Sequence, residues 1–211
     1  MNDKLKNYLP VLEIKNVIIE FGDWICEEFN FTLNEGEFFI LNKSSGSGKS
    51  SLLRAILGFI KNKEGEIICF GKKVNEENIY EIRKQISWLP QNLDVMKAPL
   101  HDKTTLGFIN NILNISDVVL DIRKVKEYFF ELGLNENLLN SEFLSLSLGE
   151  RQRVGLSLCA LREKALWLLD EPTSSLDDKN TELAIAFIKK YSPTSLIISH
   201  RDLHIKGGKD E

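Results

Sequence analysis

The chain lacks any long apolar run. The longest, LAIAFI at 183–188, falls far short of the roughly 20 residues that span a bilayer. A basic excess is missing too: 27 Lys and Arg face 31 Asp and Glu, for a net charge of −4 and a pI near 5.6. No global field therefore draws the protein to nucleic acid or acidic lipid. Cysteine is scarce. Cys26, Cys69 and Cys159 show neither C-x-x-C spacing nor an even number, which fits small core residues in a reducing cytoplasm. The first ten residues, MNDKLKNYLP, lack the apolar centre of a signal peptide, and no repeat or low-complexity stretch is present. What is there is 211 residues, 43% hydrophobic and 27% charged, enough for one sizeable core with a smaller lobe. A role at a membrane is then expected to come through a partner chain.

VLEIKNVIIEF at 11–21 is rich in β-branched residues and predicts a strand, and GEFFIL at 36–41 predicts a short buried strand after a turn. A helix is expected from about Ser50, because Leu52, Leu53, Ile56 and Ile60 recur at helical spacing. EIICFGKKV and QISWLP read as further strands. From about 104 to 140 strand punctuation stops, and Val125, Tyr128, Phe129 and Leu132 fall at i, i+3, i+4, i+7, which predicts helix. Strand character returns in ALWLLD (165–170) and TSLIIS (194–199). The pattern is an α/β core interrupted by a helical insert.

The stretch LNKSSGSGKSSLLRAIL at 41–57 combines strand, glycine-rich turn and helix, the context a phosphate loop requires. Lys43 stands where the pattern G-x-x-x-x-G-K-[ST] has its first glycine. Gly46 and Gly48 let the backbone approach an anion, and the helix N-terminus adds partial positive charge. Lys49 is placed to reach β- and γ-phosphates and Ser50 to meet Mg²⁺. A solvated Ser/Gly turn is the competing reading. LWLLDEPTSSLD at 166–177 decides between them, because a phosphate-loop enzyme needs an acid at the end of a neighbouring buried strand. Asp170 suits the metal, and Glu171, next in sequence, is placed to orient or deprotonate a water. An unpaired buried charge is costly, so paired carboxylates ending a buried strand imply use.

These residues resemble the ATP-binding-cassette ATPases, the nucleotide-binding subunits of ABC transporters, over roughly residues 11–203. SSGSGKSS looks like the Walker A loop, and LWLLDEPTSSLD like Walker B running into the D-loop. LSLGERQRV (146–154) is similar to the family signature, Gln91 in WLPQ to the Q-loop glutamine, and His200 in IISH to the switch histidine. Phe21 stands where the family stacks an aromatic on adenine. The resemblance implies an α/β fold: a phosphate-loop NTPase core, mostly parallel sheet with a small antiparallel part, and an inserted helical subdomain. It implies a single domain over 1–211, with the helical subdomain and signature at approximately 92–155. ATP and Mg²⁺ are the implied ligands. Lys43, Ser44, Ser45, Gly46, Ser47, Gly48, Lys49, Ser50 and Ser51 would hold the nucleotide with Phe21. Ser50, Gln91 and Asp170 would hold the metal, and Glu171, His200 and Gln91 would serve catalysis. Two cassettes would close head to tail, Ser147, Gly149 and Glu150 of one completing the site of the other. The implied partners are integral membrane subunits and a second cassette, in a homodimer on the inner face of the cell membrane, and no nucleic acid.

Several positions depart from the family pattern: Lys43 in the loop, Leu148 at the first signature glycine, and Leu158 where many members carry arginine. Only 11 residues follow His200, so the final strands are expected to be missing or very short. These departures leave room for slow or regulated hydrolysis, but Lys49, Ser50, Gln91, Asp170, Glu171 and His200 all remain, so hydrolysis of Mg-ATP to ADP and phosphate is the expectation. HRDL at 200–203 also matches the start of a kinase catalytic loop, but eight residues beyond it leave no room for the rest. His200 and His204 show H-x-x-x-H spacing without an intervening glutamate or third zinc ligand. Two rivals remain: a soluble ABC ATPase acting on DNA or ribosomes, and a cassette that binds ATP as a regulatory module. The first lacks its usual coiled-coil insertion, second cassette and basic stripe. The second differs in having little or no turnover.

Overall fold

The computed structural model describes residues 10–21, 24–26, 28–42, 44, 46–93, 102–200 and 208–210, with the backbone alone for Phe21, Trp24 and 208–210. Its strands are β1 (Pro10–Ile18), β2 (Glu20–Phe21), β3 (Trp24–Ile25), β4 (Phe29–Asn34), β5 (Phe38–Leu41), β6 (Glu64–Cys69), β7 (Lys72–Lys73), β8 (Ile86–Leu89), β9 (Leu166–Asp170), β10 (Ser195–Ile198) and β11 (Gly208–Asp210). Its helices are α1 (Lys49–Ile56), α2 (Ile79–Arg83), α3 (Thr105–Ile115), α4 (Ile122–Glu131), α5 (Leu148–Leu161) and α6 (Asp178–Tyr191). Two 3₁₀ turns, Glu136–Asn140 and Phe143–Ser145, lie between α4 and α5.

A parallel sheet in the order β11-β5-β10-β9-β8 forms the centre, and an antiparallel sheet in the order β4-β1-β6-β7 forms a second layer. Alternation along the central strands sorts side chains to two faces. Ile40, Trp167, Leu169 and Ile197 join Phe108, Phe129, Phe143 and Leu156 in one apolar cluster on the helical side. Phe39, Leu41, Leu168, Leu196 and Ile198 join Leu12, Ile14, Phe31 and Leu52 in the other, between α1 and the antiparallel sheet. The helical segment between β8 and β9 therefore shares its apolar core with one face of the sheet.

The expected strand at 11–21 is two strands. Asn16 takes a positive φ of 49°, the pairing with β4 shifts register between Ile14 and Val17, and β1 stops at Ile18. Ile19 pairs with Cys26 instead, its carbonyl accepting the Cys26 amide and its own amide donating to Cys26 Sγ, each at 2.9 Å. The expected helical face through Ile60 is shorter as well, since α1 ends at Ile56 and Gly58 turns the chain at φ 66°. The three cysteines are buried free thiols, and burial pushes those of Cys69 and Cys159 up to about 12. Among the described residues after His200, the three of β11 form a strand parallel to β5.

Candidate functional site

The C-terminal ends of β5, β9 and β10 meet in register: Ile198 pairs with Leu41 on one side and Asp170 on the other. Just beyond this edge lies an open cavity of about 450 Å³, lined by the loop and first turns of α1 and by Gln91, Asp170, Glu171 and His200.

The loop leaves β5 and enters α1 through Gly46 (φ 81°) and Gly48 (φ 98°). A Cβ at Gly48 would pay for this left-handed turn in strain, so glycine is the residue that fits. No side chain among the described residues caps α1, and its first turn holds no acid. By contrast Thr104, Asp121, Ser147 and Asp177 cap α3, α4, α5 and α6. The first N–H groups of α1 are thus left for an anion. The Ser47 hydroxyl, also in this loop, is buried without a hydrogen-bond partner. Lys49 is buried and donates through Nζ to the Ser44 carbonyl at 2.9 Å. Burial holds its ammonium below the usual lysine range, against the opposing pull of Glu171 and Asp170.

Opposite the loop, Ser50 Oγ donates to Asp170 Oδ1 at 3.1 Å. Burial raises the Asp170 carboxyl above the usual carboxylate range; the Ser50 hydrogen bond opposes this and the Glu171 charge adds to it. Glu171 is 5% exposed, takes φ 52°, and donates its amide to the Ile198 carbonyl at 3.0 Å. Its Oε1 lies 3.4 Å from His200 Nε2, on a half-exposed imidazole, and has no hydrogen-bond partner. Gln91, two residues past β8, completes the wall. Ser50, Gln91 and Asp170 offer only oxygen and amide donors, a set suited to a hard cation.

The cavity therefore collects Gly46, Gly48, Lys49, Ser50, Ser51, Gln91, Asp170, Glu171 and His200 of the expected residues. Lys43, Ser45 and the Phe21 side chain lie outside the described residues, as does His204. Arg54, Ile60 and Ile198 also line the cavity. Arg54 stands one turn after Ser50 on α1, the signal that could have singled it out.

The signature residues lie elsewhere. Ser147 is the N-cap of α5, and Glu150 closes a capping box: the Ser147 amide and hydroxyl donate to Glu150 Oε2 at 2.9 and 2.7 Å, and the Glu150 amide donates to Ser147 Oγ at 3.3 Å. A Cβ on Gly149 would stand 2.8 Å from the Ser175 carbonyl, so glycine lets α5 lie against the loop after β9. The exposed Leu148 belongs to a neighbouring cavity with Gln91, Gln152, Ser174 and Ser175.

Among the described residues no helix is long and apolar enough to cross a membrane. The chain is 31% identical over 182 residues, 85% of its length, to the glutathione/L-cysteine transport system ATP-binding/permease protein CydD of Haemophilus influenzae, and spans 31% of that protein. It is 30% identical over 202 residues to the cytochrome c biogenesis ATP-binding export protein CcmA of Reclinomonas americana, covering 92% of this chain and 87% of that one. Its fold matches the ATP-binding cassette MJ0796, solved as a dimer in a post-hydrolysis state bound to ADP and Pi, with a TM-score of 0.75 and 25% identity over 90% of this chain and 88% of that one. The sequence profile of the ABC transporter family matches residues 26–174, and the chain belongs to that family as an ATP-binding cassette.

Proposed function

We propose that the protein is the ATP-hydrolysing subunit of an ABC transporter, powering transport through separate membrane subunits. The observation that carries this reading is the single cavity holding Lys49, the Ser50–Asp170 pair, Glu171 and His200 beside an uncapped helix N-terminus. The relatives support the membrane partner: CydD joins ATP-binding and permease in one name, and CcmA is named an ATP-binding export protein.

In this reading the loop from Lys43 to Ser51 wraps the triphosphate, Lys49 neutralises the β- and γ-phosphates, and Phe21 stacks on adenine. Ser50, Gln91 and Asp170 hold Mg²⁺, which when bound offsets charge on the phosphate oxygens. Glu171 takes a proton from the attacking water, and His200, 3.4 Å from its Oε1, keeps that water in line with the γ-phosphate. The exposed α5 N-terminus, with Ser147, Gly149 and Glu150, faces the nucleotide of a second copy, and residues 92–155 form the lobe that meets the membrane subunits on the inner face of the membrane. ATP turnover tests the assignment. Glu171→Gln and His200→Ala should bind ATP normally, and Glu171→Gln should turn it over about 10² to 10⁴ times more slowly. Turnover by Glu171→Gln near the wild-type rate would place the base elsewhere. Absence of turnover in the wild type together with its membrane subunits would favour the regulatory module.

A further inference from the structure

We propose that Gln152 is a positioning residue that holds Glu171 in its catalytic conformation and ties it to the N-terminal end of α5. The proposal rests on Glu171 being the general base. Gln152 is 5% exposed, and its whole side-chain amide is spent on the loop after β9. Nε2 donates to the Glu171 carbonyl at 3.1 Å and to Ser174 Oγ at 3.0 Å, and Oε1 accepts the Ser175 amide at 3.2 Å.

The need for such a hold lies in Glu171 itself. Its backbone occupies the left-handed region at φ 52°, which costs a residue with a Cβ roughly 1–2 kcal/mol. Its Oε1 is buried without a hydrogen-bond partner, with the half-exposed His200 imidazole 3.4 Å away, so the hydrogen bonds that hold the residue are those of its backbone. Four hydrogen bonds fix that backbone: the Glu171 amide to Ile198, and the Glu171 carbonyl accepting from Gln152 Nε2, Ser174 Oγ and the Ser174 amide. Of these only the Gln152 bond comes from another helix.

That helix is α5. Gln152 stands five residues after the N-cap Ser147, roughly 7.5 Å along the axis. Every residue from Gln152 to Leu161 is buried, and the close approach of Gly149 to the Ser175 carbonyl presses the same helix against the same loop. A displacement of the α5 N-terminus is therefore transmitted to residues 171–175 through Gln152. The exposed end that would meet a second nucleotide and the base of the protein's own site belong to one rigid unit.

Gln152→Met keeps the length and removes donor and acceptor. Measured on the full chain, its kcat should fall about 10- to 100-fold, the cost of a small misplacement, with KM for ATP within about twofold of wild type. In a Glu171→Gln background the same substitution should cause no further loss, and exchange of the Ser175 amide should accelerate. Equal losses in both backgrounds, or wild-type kcat with a freely exchanging Ser175, would overturn the proposal. Gln152→Glu keeps an acceptor for Ser175 but, ionised, cannot donate to Glu171. It should lose kcat while Ser175 stays protected, and wild-type kcat there would overturn the proposal even if the methionine variant fails to fold. Should wild type and Glu171→Gln prove equally inactive, the assignment of the base fails separately. Amide exchange over 171–175 then decides the positioning role, faster in Gln152→Met supporting it and unchanged overturning it.

Discussion

Ser50 and Asp170, 120 residues apart in sequence, share a hydrogen bond of 3.1 Å across the mouth of the cavity. The first turn of α1 and the end of β9 are thus joined before any ligand arrives, so an incoming nucleotide meets a site whose two halves already hold their spacing. Lys49, the residue before Ser50, opens α1. Lys49→Ala removes the charged donor, and ATP affinity should drop on the order of 10- to 100-fold in an equilibrium binding titration. Unaltered affinity would assign the phosphates to another surface.

Asp170 should make the ligand-free protein less stable. Its folded carboxyl binds a proton more tightly than in the unfolded chain, because burial dominates over the Ser50, Arg54 and Lys49 contributions. The stability it contributes is complete below the unfolded carboxylate value and is lost as pH rises through the raised folded value. Asp170→Asn should accordingly raise the Tm of the nucleotide-free protein at neutral pH. The gain should shrink towards zero as pH falls through the carboxylate range, and Mg-ATP should stabilise the variant less than it stabilises the wild type.

The α5 N-terminus already carries an anion of its own, the Glu150 carboxylate on Ser147. If a second copy's γ-phosphate docks there, it must compete with that carboxylate. Glu171→Gln should dimerise with ATP in light scattering, and adding Glu150→Gln should lower the ATP concentration required, most clearly at low salt. A monomer at saturating ATP, with and without the membrane subunits, would rule out the head-to-tail pair.

Arg153 ties α5 to two other parts of the fold at once. Its Nη1 donates to the Leu132 and Gly133 carbonyls after α4 and to Asn180 Oδ1 on α6, at 2.9, 3.0 and 2.9 Å, from a side chain that is nearly fully buried. Arg153→Met would strand those acceptors. The expected loss is about 2–4 kcal/mol, read as a Tm lower by roughly 5–10 °C.

Local pattern was enough to place the glycine turn between β5 and α1 and the acids at the end of β9, because strand, glycine turn, helix and carboxylate each announce themselves within a few residues. Positive φ at Asn16 and at Glu171 is invisible to that reading, since neither residue type demands it, and the first of these split the strand expected at 11–21. Ile60 kept the helical period while the chain had already turned at Gly58, so it lines the cavity where periodicity placed it on α1. Gln152 and Arg153 read as two polar residues on a helix. Their partners lie on Glu171, Ser174, Ser175, Leu132, Gly133 and Asn180, contacts that only the tertiary arrangement brings within reach.

The row Leu41–Ile198–Asp170 across the central sheet has a bearing on how this chain tolerates changes of length. Removing one residue from β9 would draw Asp170 back by about 3.3 Å and turn it to the opposite face, and the same holds for the residue before the phosphate loop in β5. The antiparallel layer shows the contrary habit: β1 absorbs irregular register against both β4 and β6 through bulges without disturbing that row. Insertions and deletions should therefore survive in the outer layer and be lethal to activity in the short central strands beside the cavity, of four or five residues each, where a single codon separates a working site from a misaligned one.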